Sequence, residues 1–182
     1  MSRKIALIDS DSIIYILAWH AREHTEEGMM QKLVEEFMVN LVQGTESTHY
    51  LGAFSPKLTF RNRIATIKPY KGQRPESPPW LQYWKPKIIE QCINEYGFFV
   101  ADDIEADDVL SLMRNGSEPG DEVILCSPDK DLQQIPGRHF NYSKVTWNTV
   151  TPAEADYNLW RQIIVGDTSD NITGKPLMPV PI

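Results

Sequence analysis

The sequence contains few cysteines and no long apolar run. Cys92 and Cys126 are the only two cysteines in 182 residues, and each lies in an apolar setting far from the other. We interpret them as reduced thiols in the core of a cytoplasmic protein, rather than as a disulfide or a pair of metal ligands. No stretch reaches the roughly 18 consecutive apolar residues that a membrane-spanning helix needs. Asp9 and Asp11 interrupt the apolar stretch near the N-terminus, which argues against a signal peptide.

The chain also lacks an excess of basic residues. Its 18 Lys and Arg residues are outnumbered by 25 Asp and Glu residues, which gives a net charge of −7. Such a total is unusual for a protein that binds nucleic acid, but the distribution of charge matters more than its sum. Many of the acids occur in short clusters, and cations bound among them would reverse the local charge. The acidic total therefore does not exclude a polyanionic substrate.

Apolar strands alternate with amphipathic helices along the chain. The predicted strands are 5–8, 50–54, 98–100 and 122–126, followed by a hairpin of 140–142 and 145–150. The predicted helices are 12–21, 30–43, 86–96 and 106–114, a short turn at 132–135, and 152–165 with Thr151 as its cap. This alternation predicts one α/β domain over residues 1–182, with a mainly parallel central sheet and helices on both faces.

The stretch between the second strand and the third helix has a different character. Residues 55–85 combine aromatic residues and prolines with seven Lys or Arg residues. Because this mixture is too polar and too often interrupted by proline for a core, we expect a protruding, partly mobile segment.

Four acidic clusters occupy similar places in the predicted fold. They are Asp9 with Asp11, Glu105 with Asp107 and Asp108, Asp129 with Asp131, and Asp167 with Asp170. Each cluster alone is typical of a helix cap, a turn or a solvated helix face. The first three follow predicted strands, however, and parallel strands end at the edge of the sheet where α/β proteins bind ligands. We therefore expect these three clusters to converge on one site.

Converging carboxylates require a counter-charge. Two of them about 4 Å apart repel by roughly 4 kcal/mol at an effective dielectric of 20, so either protons or divalent cations must be bound among them. The candidate ligands are all oxygens, with no His or Cys nearby, which indicates Mg²⁺ or Mn²⁺ rather than Zn²⁺. Two such ions about 4 Å apart can activate a water and stabilise the leaving oxygen of a phosphodiester.

The sequence resembles the flap endonuclease and 5′–3′ exonuclease family, particularly the short phage exonucleases. The matching stretches, in the family's order, are ALIDSDSIIY, TFRNRIATIKPYKGQR, DDIEADDVLSL, ILCSPDKDLQQIPG and VGDTSDNITG. The resemblance implies a PIN-like (resolvase-like) nuclease that cuts DNA, or the RNA of an RNA–DNA hybrid, at 5′ ends or 5′ flaps. For a phage protein it implies the host cytoplasm. It also implies two metal groups, one of Asp9, Glu105, Asp107 and Asp108 and one of Asp129, Asp131, Asp167 and Asp170.

The resemblance gives the basic segment a role as well. Lys71 and Arg74 match the family's basic pair, which faces the scissile phosphate, although both could instead be solvated loop charges. Tyr70 beside them can stack on a terminal base. Arg61 and Arg63 are expected to contact phosphates.

The stretch 75–84 takes the place of the family's arch over the active site. Its aromatic residues Trp80 and Tyr83, together with Trp84, are equally well explained by a local hydrophobic cluster.

Two departures from the family pattern bear on function. Ser55 follows Phe54 where many members carry an Asp, which removes one ligand of the first metal group. The ending TGKPLMPVPI lacks the family's Gly-rich helix–turn–helix module, so we expect weak duplex binding unless a further segment or a protein partner supplies it.

Two other functions compete with the nuclease. One is a cleavage-deficient binder of branched nucleic acid, and the other is a PIN-type ribonuclease that cuts single-stranded RNA. The eight remaining carboxylates count against the binder, because negative charge near phosphate weakens binding. The YKGQR segment and the acidic pair in GDTSDN favour the flap nuclease over the ribonuclease.

Overall fold

The computed structural model describes residues 3–21 and 26–174. The strands are β1 (Lys4–Asp9), β2 (His49–Phe54), β3 (Phe99–Val100), β4 (Glu122–Cys126), β5 (Gly137–Asn141), β6 (Thr146–Val150), β7 (Gly166–Asp167) and β8 (Ile172–Thr173). The helices are α1 (Asp11–Ala21), α2 (Glu27–Thr45), α3 (Phe60–Ile64), α4 (Pro79–Tyr96), α5 (Ala106–Asn115) and α6 (Pro152–Val165), with a 3₁₀ helix at Asp131–Gln134. Residues 175–182 lie outside the described residues. They include most of the C-terminal stretch on which the predicted lack of a helix–turn–helix module rests.

Six strands form the central sheet, in the order β3-β2-β1-β4-β5-β6. The first five in this order run parallel to one another, and β6 is antiparallel to β5. Leu7 in β1 lies between Leu51 of β2 and Leu125 of β4. The carboxyl ends of β1 to β4 therefore share one edge, and the predicted mainly parallel sheet is confirmed.

Helices cover both faces of this sheet. Because successive side chains of a strand point to opposite faces, β1 contributes to two cores. Ile8 packs with side chains of α1, α2 and α4, among them Trp84. Leu7 packs on the opposite face with Leu110 of α5 and Leu132 of the 3₁₀ helix. The prediction of helices on both faces is confirmed.

The two cysteines lie on the first of these faces. Cys92 and Cys126 are buried and free, which confirms the prediction that they are core thiols. No helix in the described part of the chain is long and apolar enough to cross a membrane.

Helix α4 differs from its prediction. It begins at Pro79, where a missing N–H costs nothing in the first turn, and continues through Pro86 inside the helix. The prediction that this helix starts at residue 86 is wrong, because the prolines before it were read as interruptions, whereas Pro79 begins the helix. Trp84, assigned to the arch, is 2% exposed in the core. The irregular, mostly exposed stretch is thus shorter than predicted and covers residues 65–78.

Most other boundaries agree with the sequence patterns within a few residues. At the start of α6, Glu154 N donates to the Thr151 hydroxyl at 3.2 Å and Thr151 N donates to the Glu154 carboxylate at 2.8 Å, which confirms the predicted cap. The predicted hairpin forms as β5 and β6, but its first strand begins at Gly137. Helix α3 and the small β7–β8 hairpin were not predicted.

Candidate active site

A cavity of about 170 Å³ lies at the carboxyl edge of the sheet. Among its lining residues are six carboxylates and two basic side chains: Asp9, Asp11, Glu105, Asp107, Asp129, Asp131, Lys71 and Arg74. An adjoining cavity of about 540 Å³ shares three of these carboxylates and adds Asp108, Asp167 and Asp170. Each of the eight predicted metal ligands therefore lines at least one of these two neighbouring cavities. Their role as ligands stays a prediction.

Asp9 lies at the end of β1 and has 6% of its surface exposed. Among the predicted ligands, only Asp167 is more deeply buried. Its Oδ2 accepts a hydrogen bond from the Ser127 hydroxyl at 2.7 Å, and its Oδ1 accepts one from Asp11 N at 3.3 Å. Burial raises the pKa of Asp9 to about 7 despite the Ser127 hydrogen bond, and the charges of Asp11 and Asp129 add to this rise. The Asp9 carboxylate thus lies close to the negative charges of Asp11 and Asp129.

The N-terminus of α5 supplies three further acids. Burial, together with the neighbouring Asp108 and Glu105, raises the pKa of Asp107 to about 6. Asp108 is bound through both oxygens by Arg61, whose Nη2 donates to Oδ1 at 2.8 Å. Burial opposes ionisation of Asp108, but the Arg61 guanidinium holds its pKa below the ordinary value. Asp108 also accepts a hydrogen bond from Glu105 N at 3.2 Å, which fixes it at the helix start.

The basic YKGQR segment reaches carboxylates of both predicted metal groups. The Tyr70 hydroxyl donates to Glu105 Oε2 at 2.7 Å and lies 3.0 Å from Asp170 Oδ2. Lys71 forms an ion pair with Glu105, and Arg74 lies 3.4 Å from Asp170. The protein's own cations therefore neutralise Glu105 and Asp170.

Gln162 on α6 joins two acids of the second predicted group. Its Nε2 donates to Asp167 Oδ2 at 2.6 Å and to Asp131 Oδ1 at 3.1 Å, which uses both protons of the amide. Burial, and then the charge of Asp129, raise the pKa of Asp131. Sequence reasoning missed Gln162. The sequence signal that could have identified Gln162 is its position on the predicted helix 152–165, five residues before the predicted ligand Asp167.

Two residues singled out from the sequence have other partners. Arg63 forms an exposed ion pair with Asp103, away from both cavities, so its predicted phosphate contact stays a prediction. The Ser55 hydroxyl accepts a hydrogen bond from Ala106 N at 2.9 Å, and Ser55 N donates to Asp11 Oδ1 at 3.1 Å. Ser55 thus connects the end of β2 to the start of α5.

The chemistry of these side chains suits a hard divalent cation. The acidic donors are oxygens, which hard divalent cations prefer. Burial, and to a smaller extent the neighbouring carboxylates, raises the pKa values of Asp9 and Asp107. As the side chains stand, no three or more His, Cys, Asp and Glu residues of the described ranges are grouped so that they could hold an ion. Glu105 faces Lys71 and Asp108 faces Arg61 instead, so each of these two carboxylates would have to turn away from its basic partner before it could bind an ion.

A model of a known family matches most of the chain. The model is described as the 5′-3′ exonuclease N-terminal resolvase-like domain, and it matches residues 4–158. The chain belongs to this family. The resemblance inferred from the acidic and basic motifs is thereby confirmed.

The chain corresponds to only part of several similar proteins. DNA polymerase I of Bacillus caldotenax is 32% identical over 97% of this chain, and that of Bacillus subtilis (strain 168) is 30% identical over 96%. The chain spans 22% of each polymerase. The 5′-3′ exonuclease of Buchnera aphidicola subsp. Schizaphis graminum is 31% identical over 67% of this chain and 46% of its own length.

Solved structures of a phage protein share the fold. Zinc-bound T5 5′-exonuclease superposes with a TM-score of 0.76 at 18% identity, over 97% of this chain and 71% of the phage chain. A complex of the bacteriophage T5 flap endonuclease with DNA and metal ions gives a TM-score of 0.73 at 17% identity, with the same coverage. The predicted resolvase-like fold class is confirmed.

Proposed function

We propose that this chain is a divalent-metal-dependent 5′ nuclease that hydrolyses phosphodiester bonds of DNA at 5′ ends or 5′ flaps. The observation that carries the proposal is the cavity at the sheet edge, where six carboxylates stand beside Lys71 and Arg74. Carboxylates in this number repel a phosphate unless cations lie between them. Membership of the 5′-3′ exonuclease family supports the chemistry, and the DNA complex of the T5 enzyme supports DNA over an RNA–DNA hybrid.

We assign two Mg²⁺ or Mn²⁺ ions to the cavity walls. The first would be held by Asp9, Glu105, Asp107 and Asp108, and the second by Asp129, Asp131, Asp167 and Asp170. When bound, such a pair of ions lowers the pKa of the attacking water and stabilises the leaving oxygen. The T5 enzyme has been crystallised with metal ions, zinc in one structure, which supports a site for divalent ions.

The protein's own cations complete the proposed mechanism. Lys71 pairs with Glu105 in this structure, and it becomes available to a phosphate oxygen when Glu105 turns away. Lys71 and Arg74 would then stabilise the charge that develops on the scissile phosphate. Arg61 and Arg63 would hold the substrate backbone, and Tyr70 would stack on the terminal base.

We also propose that a protein partner supplies duplex binding. Helix α6 exposes Tyr157, Trp160, Ile163 and Ile164, which form an apolar surface of the kind that contacts other proteins. The isolated chain should accordingly bind blunt duplex DNA more weakly than single-stranded DNA of equal length. Equal or tighter binding of the duplex would remove the need for a partner.

The experiment that tests the nuclease compares labelled 5′-flap DNA, blunt duplex, single-stranded DNA and single-stranded RNA in Mg²⁺, Mn²⁺ or EDTA. We expect cleavage of the DNA substrates near their 5′ ends in either ion and none in EDTA. If the protein binds these substrates but cleaves none of them in either ion, the cleavage-deficient binder would be supported. The argument for that alternative is that Ser55 stands where many family members carry an Asp. Cleavage of single-stranded RNA alone would support the PIN-type ribonuclease.

A further inference from the structure

A row of exposed or partly exposed aromatic side chains begins at the candidate active site. Tyr15 and Trp19 are four residues apart on α1, so they share one helix face, and each is 55% exposed. The Trp80 ring, in the first turn of α4, meets Trp19 edge to face with 5.7 Å between ring centroids. Tyr83 follows Trp80 by three residues and is 51% exposed. We call these four residues the aromatic strip.

The strip is continuous with the catalytic cavity. Tyr15 lines that cavity together with Lys71, Arg74 and the carboxylates. Trp19 lies one helical turn, or about 6 Å, further along α1. A strand with its phosphate in the cavity can therefore extend over Tyr15 and then over Trp19.

Basic residues accompany the rings at the far end of the strip. Lys87 lies 4.6 Å from the centre of the Tyr83 ring, and Lys85 is exposed on the same helix. Glu27 pairs with Lys87 and accepts a hydrogen bond from the Tyr83 hydroxyl, so one acid offsets part of this charge. Aromatic rings next to basic side chains bind single-stranded nucleic acid, because the bases stack on the rings and the backbone phosphates are attracted to the basic groups.

We propose that Trp19 and Trp80 form a stacking subsite for bases of the single-stranded 5′ part of the substrate, next to the scissile phosphate. The subsite rests on the proposed 5′ nuclease function, and it distinguishes substrates with a single-stranded 5′ end from blunt ones. Trp80 also packs partly against the core, so it supports the Trp19 ring through their edge-to-face contact while the more exposed Trp19 contacts the base.

The test compares Trp19→Leu, Trp19→Phe and Trp80→Leu with the control Trp147→Leu. Trp147 is also exposed, but it lies on the edge strand β6, beside Arg138. Affinities for a 5′-flap DNA and for a blunt duplex of the same sequence are measured by fluorescence anisotropy in EDTA. The ratio of flap affinity to blunt affinity should fall about tenfold in Trp19→Leu and less in Trp19→Phe, while the control keeps the wild-type ratio.

Two results would overturn the subsite. One is an unchanged ratio in Trp19→Leu, and the other is an equal fall in the Trp147→Leu control. Melting curves identify any loss of folding in Trp80→Leu, and the more exposed Trp19 variants then decide. Binding is measured without divalent ions, so this experiment tests the subsite independently of cleavage. A wild-type chain that cuts no substrate would refute the proposed nuclease but not the subsite.

Discussion

Replacing Asp9 with Asn is expected to stabilise the ion-free protein while weakening its response to divalent ions. Asn keeps the shape of the side chain, and its oxygen can still accept the hydrogen bond from Asp11 N. Its amide group can donate to the Ser127 hydroxyl in place of the present contact. What the substitution removes is a buried negative charge close to the charges of Asp11 and Asp129.

The pKa of Asp9 sets the size and the pH dependence of this effect. Burial raises the pKa to about 7 in the folded protein, compared with about 4 in an unfolded chain. Between these pH values the folded state binds more protons, so the free energy of unfolding falls as the pH rises. The full difference corresponds to at most about 4 kcal/mol. Asp9→Asn avoids this loss, and its advantage should be largest at pH 8 and less than half as large at pH 5.

Melting temperatures in EDTA and in Mn²⁺ provide the assay. In EDTA at pH 8, Asp9→Asn should melt higher than wild type by up to roughly 8–16 °C, since about 1 kcal/mol shifts a domain of this size by about 2–4 °C. Mn²⁺ should raise the melting temperature of the wild type more than that of the variant, which keeps only the second group of proposed ligands intact. Asp156→Asn, an exposed change on α6, is the matched control. A variant no more stable than wild type at pH 8 in EDTA would refute the reasoning.

Three further predictions concern the other site residues. Asp107→Asn and Asp129→Asn should each lower cleavage by several orders of magnitude while substrate affinity holds or rises, and near-wild-type cleavage would remove that residue from the ligands. Lys71→Ala should lower the single-turnover rate at saturating protein with little change in affinity. Arg63→Ala should instead weaken binding and reduce the slope of log affinity against log salt concentration by at most about 0.9. If Lys71→Ala lowers only the affinity, Lys71 holds the substrate and does not act on the scissile phosphate. Gln162→Leu removes the amide that donates hydrogen bonds to both Asp131 and Asp167. It should raise the Mn²⁺ concentration for half-maximal cleavage about 10–100-fold. An unchanged concentration would show that the amide does not position these two acids.

Residues with a local signal were predictable from the sequence. The apolar run before Asp9 and the strand before Asp129 placed both acids at the sheet edge, because strand direction fixes where a strand ends. The capping box of α6 was equally local, since Thr151 and Glu154 contact each other directly. The start of helix α4 was placed at Pro86 instead of Pro79, because proline is expected at the start of a helix and not inside one. Burial of the surrounding side chains outweighs the one hydrogen bond that is missing at Pro86.

Contacts between distant segments could not be predicted in the same way. Arg61 binds Asp108 across 47 positions of sequence, and this pairing depends on how α3 packs beside α5. Lys71 pairs with Glu105 for a similar reason. The sequence therefore identified the acids as a group but did not indicate which of them the protein's own cations already neutralise.

The dependence of cleavage on divalent ions tests the central claim most directly. Single-turnover cleavage of a labelled 5′-flap DNA would be measured across a Mn²⁺ titration, with EDTA as the zero point. Two ions held by the eight carboxylates predict no product in EDTA and a rate that first rises more steeply than the first power of Mn²⁺ concentration. Cleavage at the full rate in EDTA would contradict the claim that these carboxylates work through bound metal ions.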